Sequence, residues 1–130
     1  MSRRFLYCLL RGEHFSPARA GARTGLTLVD ANEPGEVAPS GQYEGRPLPY
    51  GSALLVLLDE DLPETASALE PLRALAEHLP VLRGLGVTDA TLSLVVAYER
   101  TCEFTLSPGE LAALASLGLP LEVSCHPAAT

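Results

Sequence analysis

The sequence predicts an α+β fold: one mainly antiparallel sheet of five to six strands, with two or three helices packed on one face. Three observations carry this. Short apolar or alternating runs recur along the chain at residues 4–11, 53–58, 91–98 and 119–125. Ser-Pro pairs at Ser16-Pro17 and Ser107-Pro108 open helical stretches, each closed by a glycine. A longer helical stripe, Leu69, Leu72, Leu75, Leu79 and Leu82, repeats at three- and four-residue steps. The 130 residues suit one domain over 1–130. At 47% hydrophobic and 19% charged, the chain has material for a core without disulfide or metal staples.

Residues 4–11 read as a buried strand that ends at Gly12. Ser16 is placed to cap a short helix from Pro17 to Arg23, with Gly25 as its stop and a brief strand over 26–29. Residues 30–51 read as a long irregular segment with prolines at 34, 39, 47 and 49, the kind of loop that carries function or mobility. An edge hairpin around Gln42–Arg46 fits within it. Ala53–Leu58 is apolar throughout and reads as a central strand covered on both faces. A helical region follows from Pro63 to about Leu82, with Pro71 expected to kink or restart it and Pro80 and Gly84 to help stop it.

In 91–98, Leu92, Leu94, Val96 and Tyr98 face one way. Cys102, Phe104 and Leu106 continue the alternation, which predicts a hairpin turning at 99–101. Ser107 and Glu110 have capping-box spacing ahead of the last helix. The final strand alternates Leu119, Leu121, Val123 and Cys125, and Pro120 points to an edge position or a strand start. The two stretches around Ser16-Pro17 and Ser107-Pro108 share one plan of strand, capped helix, Gly stop and strand. Either an internal duplication into two strand–helix–strand units or common helix punctuation accounts for the echo.

The formal charge is −7, and all nine basic residues are Arg. Such a surface repels phosphate backbones and suits a basic protein partner or plain solubility. Nucleic acid and membrane are therefore not expected partners. The apolar run behind Arg3 and Arg4 is too short for a signal peptide, and no stretch reaches the roughly 18 apolar residues of a membrane helix. The three cysteines, Cys8, Cys102 and Cys125, sit in apolar runs without Cys-x-x-Cys spacing, and read as buried reduced thiols in a reducing cytoplasm.

No motif points to a cofactor or a reaction. Gly84-Leu85-Gly86 follows a helix, the wrong order for a phosphate cradle, and reads as a helix cap. His14, His78 and His126 lack metal-ligand spacing, and a nucleophile pair such as Cys125 with His14 is a weak match to its strand context. Asp59, Glu60, Asp61 and Glu64 lie at a strand-to-helix junction. There they complement a helix N-terminus, contact a partner or hold a hard metal, in falling order of expectation. Tyr43, Arg46 and Tyr50 in the long segment are residue types that anchor interfaces, or that pin a loop to its own domain.

Gly12-Glu13-His14-Phe15-Ser16-Pro17 with Gly25-Leu26, and Leu106-Ser107-Pro108-Gly109-Glu110-Leu111 with Leu117-Gly118-Leu119-Pro120-Leu121, resemble the bacterial domain-of-unknown-function family 4279. The resemblance covers both ends of the chain and brings no established activity with it. Some small bacterial domains of this kind resemble immunity proteins that neutralise a toxin of the same cell. The resulting expectation is a non-enzymatic, immunity-type binding protein, monomeric or homodimeric, that contacts a basic toxin through Asp59, Glu60, Asp61, Glu64, Tyr43, Arg46 and Tyr50. Two alternatives stay open: a small ligand-binding or enzymatic domain with a pocket under the 30–52 loop, and a structural module that dimerises through an exposed strand.

Overall fold

The computed structural model describes residues 3–59 and 67–128. Its elements run β1 (Arg3–Gly12), α1 (Pro17–Thr24), β2 (Val29–Asn32), β3 (Gly51–Leu58), α2 (Leu69–Gly84), β4 (Asp89–Tyr98), α3 (Pro108–Leu117) and β5 (Leu121–Pro127). The fold is α+β, with one mixed, mostly antiparallel sheet in the order β2-β3-β1-β4-β5 and three helices. By contacts the chain divides into two compact units. One is formed from Met1–Cys8, Val56–Glu77 and Thr91–Thr130, the other from Leu9–Leu55 and His78–Ala90.

In the first unit, strand alternation sorts the side chains. Leu6, Cys8, Leu92, Leu94 and Val96 are buried, while Phe5, Tyr7, Val95 and Ala97 are half-buried. Leu72 and Leu75 of α2 and Leu117 of α3 complete this core. Burying a leucine fully is worth about 1.5–3 kcal/mol, so these few side chains supply much of the local stability. Strands β4 and β5 pair in parallel, from Leu92 with Leu121 to Tyr98 with Pro127. A parallel neighbour needs a crossover, and α3 lies within that connection.

This pairing corrects the expected Cys102–Leu106 hairpin. With β1 on one side of β4 and β5 on the other, both edges of β4 are taken, and residues 101–107 have no ladder to join. The last strand begins just after Pro120, whose carbonyl accepts from the Leu92 amide, and it lies at the sheet edge. Both properties agree with the reading of that proline.

In the second unit, Leu10, Phe15, Ala20, Ala53, Leu55, Leu79, Leu82 and Val87 are buried. Strand β2 pairs antiparallel with β3, Val29 opposite Leu54 and Asn32 opposite Ser52, with a register shift between. It starts later than the expected 26–29 stretch: the left-handed Gly25 cap of α1 is followed by irregular chain to Leu28, and Asp30 takes a positive φ of 48° inside the irregular strand. Strand β3 is interior, but β1 is the middle strand. Leu54 and Val56 stay partly exposed, so the apolar run of β3 is covered mainly on one face.

The expectation of a helix from Pro63 rests partly on residues 60–66, which lie outside the described residues. From Leu69 the helix runs to Gly84. Pro71 sits in its first turn, where an amide has no intrahelical partner to lose, and so it opens the helix. Pro80 lies inside the helix and does not stop it.

Both α1 and α3 carry a serine N-cap, a proline in the first turn and a left-handed glycine at the C-cap, Gly25 and Gly118. The echo seen in the sequence is thus present in the helices. The strands after them differ: β5 lies beside β4, whereas β2 lies beside β3 and not beside β1.

Candidate functional site

The long 30–52 segment is built from its own hydrogen bonds. The Gly35 amide donates to the Leu48 carbonyl, Leu48 to Glu36, Ala38 to Arg46 and Gly45 to Ala38, all between 2.8 and 3.0 Å. Two isolated bridges, antiparallel between Val37 and Pro47 and parallel between Ala38 and Glu44, stand in place of the expected edge hairpin around Gln42–Arg46. Ala38 is buried within it. At its start the segment is tied to α1. The Ser16 hydroxyl donates to Glu33 Oε1, and the Ala18 amide donates to Glu33 Oε2 at 3.3 Å. Glu33 therefore places a carboxylate at the positive end of α1, alongside the Ser16 cap.

This frame brings three of the expected contact residues together. The Tyr43 and Tyr50 rings meet edge to face, with centroids 6.1 Å apart. The Arg46 guanidinium lies 5.7 Å from the Tyr43 ring centre and donates to the Gln42 carbonyl at 2.7 Å. Arg11, at the end of β1, lies 4.6 Å from the Tyr50 ring centre. Sequence reasoning missed Arg11, because nothing local marks a strand-end arginine as the neighbour of a distant loop tyrosine. Both tyrosines are half-buried and both arginines exposed, an arrangement that holds the rings while leaving the guanidinium edges to solvent.

Two open hollows share Tyr50. One, about 460 Å³, has Arg11, Glu13, His14, Arg83 and Asp89 around its rim, all exposed. Its floor depends on glycine. A Cβ on Gly12 would stand 1.9 Å from the Gly86 carbonyl oxygen, and Gly86 itself has φ +112° and lies against His14. Gly86 is therefore a close-packing residue beyond the helix-cap role read from the sequence. The other hollow, about 290 Å³, is lined by residues of the 30–52 segment itself, among them Asn32, Gln42, Tyr43, Tyr50 and Ser52.

The acidic group is placed less completely. Asp59 is exposed just after β3, and Glu60, Asp61 and Glu64 lie outside the described residues. Among the described residues, no group of three or more His, Cys, Asp or Glu is arranged to hold a metal ion. No described helix is long and apolar enough to cross a membrane.

Two ionisable residues are buried; the sequence reading found the capping role of Glu110 but neither its burial nor Arg4. Arg4 and Glu110 are 8% and 5% exposed. Glu110 completes the capping box, accepting from the Ser107 amide at 2.9 Å, and reaches across to accept from the Ala68 amide at 3.0 Å. Burial pushes its carboxyl up, but the Ser107 and Ala68 amides, the Ser107 hydroxyl and the Arg4 charge outweigh this and hold it below the ordinary value. The cavity beside Arg4 is about 10 Å³ and lined by leucines, too small for a substrate. Glu110 therefore works in folding: it joins α3 to the start of α2.

Two of the three cysteines differ from the expected burial, and Cys8 agrees with it. Cys8 is fully buried, and burial pushes its thiol up to about 11. Cys125 is exposed and Cys102 half-buried, because β5 is an edge strand and 101–107 is not a strand at all. The sulfur in contact with Cys125 is that of Cys102, at 2.9 Å.

No family model, no curated protein and no solved structure matches this chain.

Proposed function

We propose that this chain is a non-enzymatic protein-binding domain of the immunity type, which captures a basic toxin protein and blocks it through the face built on the 30–52 loop. The observation that carries the reading is the braced pair Tyr43 and Tyr50, flanked by Arg46 and Arg11. Tyrosine and arginine held in place before binding lose little side-chain freedom on contact, which is what makes such residues dominate interface energetics. The hollows on either side of Tyr50 offer recesses for a partner's side chains. The net charge of −7 speeds encounter with a cationic protein.

The test is co-expression with the protein encoded immediately upstream. The expected result is a complex that co-purifies and growth that is rescued. The Y43A/Y50A double variant is expected to lose at least tenfold in affinity while keeping the wild-type circular dichroism spectrum. Absence of both complex and rescue rejects the reading.

A second reading, a domain that binds a small ligand, is favoured by the hollow within the 30–52 segment, with its polar lining of Asn32, Gln42 and Ser52. It is separated from the first by Q42A and S52A. Loss of a small-molecule thermal shift with protein capture intact would favour the ligand.

A further inference from the structure

One reactive arrangement is used neither by the packing nor by the loop face. Cys102 lies in the connection that follows β4, and Cys125 lies on the edge strand β5, opposite Val96 in the ladder. The Cys102 thiol donates to the Cys125 sulfur at 2.9 Å. That separation exceeds the S–S bond length of about 2.05 Å by less than an ångström. Cys125 is exposed and Cys102 half-buried, so small reagents in solution reach the pair. Two accessible sulfurs already in contact meet the main requirement for intramolecular exchange, since the second thiol stands where a mixed disulfide would form.

We propose that Cys102 and Cys125 are a reversible dithiol–disulfide pair that exchanges with a small disulfide of the glutathione class, and that closing the bond fastens residues 101–107 to β5. Cys125 is the exposed member and Cys102 donates its thiol hydrogen to it, so Cys125 is the sulfur a small disulfide reaches first. The Cys125 thiolate displaces one sulfur of the small disulfide. That S–S bond breaks, a mixed disulfide forms on Cys125, and the leaving thiolate takes up the proton that Cys125 released. Cys102 then gives up its proton and attacks the Cys125 sulfur, and the second small thiol leaves with that proton. In sum, two protein thiols are oxidised to one disulfide and one small disulfide is reduced to two thiols. Cys8 takes no part, because it is fully buried.

The experiment uses the full chain, reduced and then treated with oxidised glutathione. Thiol titration after denaturation, intact mass and peptide mapping are read together. The total thiol count after denaturation is expected to fall from three to one. The mass should drop by two hydrogens with no glutathione retained, and a Cys102–Cys125 linked peptide should appear. Dithiothreitol should restore three thiols, and amide exchange over 101–107 should slow in the oxidised form. In C102S a single glutathione adduct should persist on Cys125. A stable glutathione adduct on the wild-type chain, a disulfide-linked dimer, or three thiols left unoxidised would each overturn the proposal.

Discussion

Glu110 shows how a single residue serves two elements. Its carboxylate caps α3 and holds the Ala68 amide ahead of α2. Replacing it by alanine leaves buried amides unpaired, a loss expected to cost about 1–3 kcal/mol in urea denaturation. The pH dependence has a definite sign. The folded-state pKa of Glu110 is lowered, so between the folded and unfolded values the unfolded chain binds more protons, and stability rises with pH. Its contribution is present above the ordinary glutamate value of about 4.3 and is lost as pH falls through the lower folded value. The stability gap between wild type and E110Q should therefore narrow as pH is lowered from about 6 towards about 3. A gap that stays constant would show that the charge of Glu110 contributes nothing. Cys8 is the opposite case. Its buried thiol, pushed up to about 11, should resist alkylation in the native state and react only on unfolding.

At the scale of elements, close approach and apolar faces decide stability. The end of β1 meets the chain after α2 at Gly12 and Gly86, so tightly that no Cβ fits on Gly12. G12A must push the backbone apart and should cost about 1–3 kcal/mol, measured as a shift in the denaturation midpoint with an unchanged slope. The same change should deform the hollow beside His14. On α2, Leu72 and Leu75 are each 1% exposed, so L75A should cost about 2–5 kcal/mol. The exposed Ala74 and Ala76 of α2 carry no such cost and should accept polar residues within about 0.5 kcal/mol. On α1, S16A removes both the cap and the tie to Glu33 and should cost about 1 kcal/mol.

For the whole molecule, charge is the property that reaches beyond any one contact. A net −7 chain that binds a basic partner should do so faster at low salt, with the association rate falling as ionic strength rises and the dissociation rate changing less. A complex indifferent to salt would separate the loop face from the charge argument and leave the tyrosines as its sole anchor. The exposed edge strand β5 is the other molecule-wide feature, because an open edge is a template for pairing.

The sequence by itself determined the elements whose signals are local. Ser-Pro caps, glycine stops, the leucine stripe of α2 and the alternation of Leu92, Leu94 and Val96 all act between near neighbours in the chain, and all are present in the fold. The tyrosines and Arg46 of the loop were legible too, through residue type. Only the tertiary structure decided which strands pair. A strand's alternation states which face seeks the core and says nothing of its neighbour, so 101–106 looked like a hairpin arm until β5 took the place beside β4. The same ignorance hid Arg11 beneath Tyr50, the reach of Glu110 to Ala68, and the meeting of Cys102 with Cys125. Each joins residues far apart in the chain, and their proximity follows from packing that no short stretch of sequence encodes.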